Sequence, residues 1–281
     1  MSEPVLSARD IIVDYPGYPP LRAVAGVSLD IHAGEVVGLV GESGCGKSTL
    51  ARVLCGLLKP TAGEVVYLGR TLKPIGVAGQ KVANTGIQMV FQDPGSSLNP
   101  RRRVGPQIQD GLDAAKRRLG GEGAAGAPTS PGDWLERIGM NADDVNRFPG
   151  SLSGGQRQRI ATARALAAAP DVLIGDEPIS ALDASTQARL AYVMSSLTLA
   201  QGAGMLFVSH DLAIVRLIAD RLLVMYQGHI VERGPAEEIW ADPRHPYTQA
   251  LLGAIPLADG AGRLPAVTPP GTHYPLTEAI R

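Results

Sequence analysis

Residues 35–58 constrain the fold more than any other stretch. Val36-Val37-Gly38-Leu39-Val40 is an almost unbroken apolar run, the pattern of a strand covered on both faces. Gly41-Glu42-Ser43-Gly44-Cys45-Gly46-Lys47-Ser48-Thr49 follows at once and fits G-x-x-x-x-G-K-[ST]. A helical pattern over 47–58 completes a strand–loop–helix order and stops at Lys59-Pro60-Thr61-Ala62-Gly63. Glycines let a backbone curl around a polyphosphate with its N–H groups pointing inward, and the helix start adds its positive end. In such a loop Lys47 reaches the β- and γ-phosphates and the Ser48 hydroxyl serves Mg²⁺. The spacing predicts a nucleotide site.

The rest of the chain has to supply a sheet around that strand. Apolar runs at 11–13, 27–31, 64–68 and 87–91 predict short strands in the first ninety residues. After Ser151 the pattern alternates: helix over 156–169, strand over 172–175, helix over 184–199, strand over 205–208, helix over 212–219. Strands alternating with helices predict a mostly parallel α/β sheet. Between Asp93 and Ser151, helix-compatible segments flank a Gly/Ala/Pro tract at 120–132, which reads as a low-complexity surface loop. A proline-rich tail begins near Asp242 and reads as a packing extension.

Composition removes several classes of function. Lysine and arginine total 26 against 27 acids, a net charge of −1, which argues against a nucleic-acid coat or a polybasic membrane-surface binder. Hydrophobic residues are 44% but aromatics only 4%, so the core is expected to be aliphatic. No window approaches the roughly 18 apolar residues of a membrane span, and Met1 to Asp10 lacks a signal pattern. A soluble, cytosolic chain is expected. Cys45 and Cys55 fit neither a disulfide framework nor a metal spacing, and read as small packing residues.

Two further constellations carry chemistry. Asp171-Val172-Leu173-Ile174-Gly175-Asp176-Glu177 is a buried strand that delivers two carboxylates at its C-terminal edge, where open α/β sheets bind ligands. Asp176 is suited to holding Mg²⁺ through water, and Glu177 to orienting or deprotonating an attacking water. In Ser151-Leu152-Ser153-Gly154-Gly155-Gln156-Arg157-Gln158-Arg159, Ser153 is a good N-cap and the glycines bare the first N–H groups of the next helix. Such an end binds anions.

With these motifs in this order, the chain resembles the ATP-binding subunit of an ABC transporter. Leu152 to Gln156 is that family's LSGGQ signature letter for letter. The resemblance covers essentially the whole chain. It implies an α/β fold: a RecA-like P-loop NTPase core over 1–92 and 165–241, with an antiparallel β portion near the N-terminus. An inserted helical subdomain over 93–164 and a C-terminal extension over 242–281 would complete it. It implies ATP as substrate with Mg²⁺ held by Ser48, Gln92 and Asp176, and catalysis by Glu177, His210 and Lys47. Tyr15, rather than Tyr18, would stack on adenine. Gln92, after Met89-Val90-Phe91, matches the Q-loop that couples the metal site to domain rotation. His210, after Phe207-Val208-Ser209, matches the switch histidine. Ser153, Gly154, Gly155 and Gln156 would reach the γ-phosphate held by a partner subunit, and Asp183 of Ser180-Ala181-Leu182-Asp183 would cross the dimer interface.

Two segments resemble the ATPases of oligopeptide, dipeptide and nickel importers in particular. One is Phe91-Gln92-Asp93-Pro94-Gly95-Ser96-Ser97-Leu98-Asn99-Pro100-Arg101; the other is Asp242-Pro243-Arg244-His245-Pro246-Tyr247-Thr248-Gln249-Ala250-Leu251-Leu252, followed by Ile255-Pro256. The Asn-Pro-Arg form resembles the second of the two ATPase subunits such systems carry. The resemblance implies peptide import, with a second, different ATPase chain, two transmembrane permease subunits and an extracytoplasmic binding protein as partners, and no nucleic acid. It places the chain peripherally on the cytoplasmic face of the inner membrane. The alternatives are the same role in a nickel or metal-chelate importer, and a non-transport ABC ATPase; the latter would need a coiled coil, zinc cysteines or a second nucleotide domain, none of which this sequence has. Many relatives carry a cysteine cluster in the tail, in some holding an iron–sulfur centre. Residues 264–281 have no cysteine, so no iron–sulfur cluster is expected from this chain.

Overall fold

A computed structural model describes residues 3–75, 86–121, 127–180, 182–254 and 272–278. Residues 122–126 of the Gly/Ala/Pro tract, Ala181, Ile255-Pro256 and most of 264–281 lie outside the described residues.

The N-terminal part runs β1 (Leu6–Tyr15), β2 (Leu21–Ile31), β3 (Val36–Val40), α1 (Lys47–Leu54), β4 (Ala62–Tyr67), β5 (Arg70–Thr71) and β6 (Ile87–Val90). The helices α2 (Pro94–Ser97), α3 (Val104–Arg118), α4 (Pro131–Arg137) and α5 (Gly154–Ala167) follow. Then come β7 (Val172–Asp176), α6 (Ala184–Ala200), β8 (Gly204–Ser209), α7 (Leu212–Ile218), β9 (Arg221–Tyr226), β10 (His229–Pro235), α8 (Ala236–Ala241) and α9 (Pro246–Gly253).

The apolar run at 36–40 forms β3, buried at every residue. It lies inside a six-stranded sheet of order β10-β9-β3-β8-β7-β6, parallel except for the β9–β10 hairpin. Its side chains alternate between two cores, as a strand's two-residue period requires. Val36 and Val40 join Trp134, Leu166 and Phe207 on the face covered by helices. Val37 and Leu39 join Leu50, Leu54, Ile11 and Leu29 on the face covered by α1 and a four-stranded antiparallel sheet, β2-β1-β4-β5. Each of these fully buried aliphatic side chains contributes about 1.5–3 kcal/mol. This is the α/β architecture expected, with the antiparallel portion near the N-terminus.

Among the departures from the expected elements, two have a plain local cause. α1 ends at Leu54 rather than at 58, because Gly56 turns left-handed (φ +70°). Its N–H then bonds Val53 O at 2.9 Å and that of Leu57 bonds Arg52 O at 2.9 Å, the paired bonds of a glycine-stopped helix. The hairpin β9–β10 is absent from the expected strands. Its turn residues Gln227 and Gly228 both have positive φ (+46° and +85°), which suits the twist of a two-residue hairpin loop. Between β6 and β7, α3 packs closely on α5: a Cβ at Gly111 would stand 2.5 Å from Arg164 O.

Candidate active site

Parallel pairing brings the C-terminal ends of β3, β8, β7 and β6 to one edge of the sheet, and the residues that follow each strand meet there. Val40 is level with Ser209, Asp176 with Val208, and Gly175 with Val90. They border an open cleft of about 530 Å³ lined by Tyr15, Ser43, Gly44, Gly46, Lys47, Ser48, Thr49, Gln92, Glu177 and His210.

The loop's conformation depends on its glycines. Gly41 (φ +153°) lies where a Cβ would meet Met225 O at 2.1 Å; Gly46 (φ +110°) lies where one would meet Ala23 O at 2.1 Å. Lys47 is 3% exposed and donates to Gly41 O and Glu42 O, each at 2.7 Å, so its ammonium sits at the centre of the curl. Cys45 backs the loop. Burial pushes its thiol up despite Lys47 Nζ 3.7 Å away, so it stays protonated and inert. Gly46→Ala should cost about 2–5 kcal/mol, since the clash is with backbone and φ is forbidden to alanine. Thermal unfolding should show a drop of roughly 5–10 °C, with nucleotide retention on a filter lost.

Beside the loop, Ser48 Oγ donates to Asp176 Oδ1 at 2.7 Å. Asp176 is 4% exposed, and burial raises its carboxyl above the usual range, opposed by the Ser48 hydrogen bond and by Arg52 and Lys47. A buried carboxylate beside a hydroxyl, at the edge of a cleft that Gln92 also lines, is a set of hard oxygen donors. Such a set fits Mg²⁺, which takes few protein ligands and keeps its waters.

Glu177 has φ +47°, a conformation that costs a non-glycine residue on the order of 1 kcal/mol or more, and its N–H bonds Val208 O at 3.0 Å. That turn points its carboxylate into the cleft, where each oxygen has a partner. Gln92 Nε2 donates to Oε2 at 2.9 Å, and His210 Nδ1 lies 3.2 Å from Oε1. Tyr15 is half-buried with its hydroxyl 3.4 Å from Thr49 Oγ1, whereas Tyr18 is fully exposed and away from the cleft. Sequence reasoning did not single out Leu21. Its pairing opposite Tyr15 across the β1–β2 ladder puts this 64% exposed side chain on the cleft rim, and no local pattern in the sequence marks it.

The signature residues stand elsewhere. Ser153 caps α5, its Oγ accepting from Gln156 N–H at 3.2 Å while Gln156 Oε1 accepts from Ser153 N–H at 3.0 Å. Asp183 caps α6 in the same way, accepting from Thr186 N–H at 3.0 Å. Ser153, Gly155, Gln156, Asp183 and Arg159 border a second open cleft of about 570 Å³, and none of them borders the Lys47 cleft. Two helix N-termini thus open onto one hollow, which the Arg159 guanidinium and the carboxylates of Asp144 and Asp183 also line.

The family model for ABC transporters matches residues 24–180, and that for the oligopeptide/dipeptide transporter C-terminal region matches residues 231–280. The chain is 46% identical over 251 residues to the oligopeptide transport ATP-binding protein OppF of Bacillus subtilis, covering 85% of this chain and 78% of the relative. It is 44% identical over 239 residues to OppF of Haemophilus influenzae (85% and 71%), and 42% identical over 263 residues to the dipeptide transport ATP-binding protein DppF of Escherichia coli (91% and 78%). Among solved structures, cbiO1 from Clostridium perfringens, part of the ABC transporter complex cbiONQ, superposes with a TM-score of 0.69 at 26% identity, covering 86% of this chain and 92% of that one. A dimeric post-hydrolysis structure of the ATP-binding cassette MJ0796, bound to ADP and Pi, gives 0.66 at 26% identity, covering 82% and 98%. This chain belongs to the ATP-hydrolysing subunits of ABC transporters, in the branch that carries the oligopeptide/dipeptide transporter C-terminal region.

Proposed function

We propose that this chain hydrolyses MgATP to energise the import of peptides across the cytoplasmic membrane, as one of two different ATPase subunits docked on two transmembrane permease subunits that receive substrate from an extracytoplasmic binding protein. The observation that carries the catalytic part is the meeting of Gln92 and His210 on the two oxygens of Glu177, next to the Ser48–Asp176 pair. Peptide as the cargo is supported by the C-terminal region model and by relatives named for oligopeptide and dipeptide transport, which do not favour the nickel alternative. Peripheral attachment on the cytoplasmic face is supported by relatives named as transport ATP-binding proteins; among the described residues no helix is long and apolar enough to cross a membrane.

In this reading Tyr15 and Leu21 flank the adenine, and the N–H groups of residues 43–49 cradle the phosphates. Lys47 turns its ammonium from the Gly41 and Glu42 carbonyls to the β- and γ-phosphates. Ser48, Asp176 and Gln92 would hold Mg²⁺, which supplies positive charge against the phosphate oxygens. Glu177 accepts a proton from a water aligned for in-line attack on the γ-phosphorus as the bond to the bridging oxygen breaks. His210 steadies both that carboxylate and the transferred phosphoryl. The Glu177–Gln92 bond ties this chemistry to the start of the helical segment, over 93–164, that passes motion to the permeases.

Lys47→Ala tests the loop directly. Removing a fixed charge from the triphosphate should weaken MgATP binding about 10- to 100-fold in a titration of the purified chain. Unchanged affinity would remove the loop from the function. Cells lacking this chain should lose uptake of labelled peptides while nickel uptake persists; the reverse would reassign the cargo.

A further inference from the structure

The phosphate loop is gripped from outside by the C-terminal extension. The Glu42 N–H donates to the hydroxyl of Tyr247 at 2.9 Å, while the Glu42 carbonyl accepts from Lys47 at 2.7 Å. The Gly41 carbonyl also accepts from Lys47 at 2.7 Å, so the Gly41–Glu42 peptide unit is pinned at both ends, once by the loop's own lysine and once by a residue 205 positions away. The catalytic reading gives Tyr247 no role.

Tyr247 is well built to hold that position. It lies in the first turn of α9 and is 1% exposed. His245 caps the helix, its Nδ1 accepting from the Tyr247 N–H at 3.1 Å. The proton of this buried imidazole therefore sits on Nε2, which contacts Pro275 O at 3.0 Å. The buried carboxylate of Glu232, on β10, accepts the backbone N–H groups of Arg244 and His245. The Tyr247 ring is packed between Tyr226, at 4.4 Å between centroids, and Tyr274, at 5.4 Å. Tyr226 ends β9, whose Met225 carbonyl lies against Gly41. The segment 272–278 is fastened over this cluster by Tyr274 and by an Arg233–Glu278 ion pair. Burial pushes the Tyr247 phenol up, so it stays protonated across the physiological range.

We infer that Tyr247 is a positioning residue for the phosphate loop: its hydroxyl fixes the Glu42 peptide, and docking of the C-terminal extension thereby sets the loop's affinity for a nucleoside triphosphate. The inference rests on the nucleotide reading of the loop. The extension then does more than pack. It makes the cassette's grip on nucleotide depend on how the segment 272–278 is seated.

Tyr247→Phe in the full-length chain keeps the ring and deletes only the hydroxyl. MgATP dissociation constants should rise about 3- to 10-fold, the worth of one hydrogen bond. In the transporter complex, KM for MgATP should rise by the same factor with kcat within about twofold. Amide hydrogen exchange should accelerate over 41–46 and stay unchanged in β3 and β8. Tyr274→Ala leaves the hydroxyl but removes its brace, so it should move affinity and loop exchange in the same direction by about twofold, and it serves alone if Tyr247→Phe does not fold. Wild-type affinity and wild-type loop exchange in these variants would overturn the positioning role, as would a fall in kcat that tracks a fall in Tm. A wild-type chain that binds no MgATP would instead overturn the nucleotide reading itself.

Discussion

Glu177→Gln should bind MgATP within about twofold of wild type and turn it over about 10²- to 10⁴-fold more slowly, the range expected when a positioned proton acceptor is removed. The substitution is nearly isosteric, so the cleft keeps its shape and the φ of +47° is no harder for glutamine than for glutamate. A glutamine still offers an oxygen to Gln92 Nε2, which now donates to Glu177 Oε2 at 2.9 Å. What disappears is the negative charge and the basic lone pair. Loss of a charge near the triphosphate leaves binding equal or stronger. Loss of the base stops the step in which water gives up its proton. Phosphate release by the assembled transporter is the measurement, run beside a nucleotide titration. Wild-type turnover would falsify the assignment of Glu177, whereas loss of binding and turnover together would point to a collapsed site.

Gln92, Asp176, Glu177 and His210 are legible in the sequence as residues at or just after strand ends for a simple reason. Each follows a buried apolar run, and the residue after a buried parallel strand must emerge at the C-terminal edge of the sheet. Their convergence is then decided by the order β3-β8-β7-β6. Ser153 was likewise identifiable as an N-cap, because serine before two glycines and ahead of an alanine-rich run has few other uses. Other features escape a local pattern. Leu21 reaches the cleft only through the register that sets it opposite Tyr15, and that register includes bulges between Ala8 and Ile11 and between Val13 and Asp14. The β9–β10 turn uses Gln227 at positive φ, where asparagine or glycine would have announced it. The Tyr247–Glu42 bond joins residues from opposite ends of the chain, and no periodicity encodes such a contact.

Ser153→Arg should leave this chain's own MgATP binding within about twofold of wild type and lower hydrolysis by the assembled transporter about 100-fold or more at the site that uses this signature. Ser153 borders its own cleft and not that of Lys47, so an arginine there cannot touch the phosphates held by the same chain. In the proposed reading the chain contributes a phosphate-loop half and a signature half, which line separate clefts. The substitution also removes the Ser153 Oγ that accepts from the Gln156 N–H, which costs about 1 kcal/mol of α5, a helix of 14 residues with a buried face. Ser153→Ala carries the same loss of cap without the added bulk, so turnover close to wild type in Ser153→Ala assigns the effect of arginine to blocked closure. Mixing then identifies the partner. In a homodimer, one Ser153→Arg chain and one Glu177→Gln chain rebuild a single intact site: the phosphate loop and Glu177 come from the first, the signature from the second. Partial activity in that mixture would make the partner a second copy of this chain. Silence in the mixture, with activity restored only when a distinct ATPase joins the wild-type chain, is the expected result. In that case the signature at Ser153 acts on a nucleotide bound by a different protein.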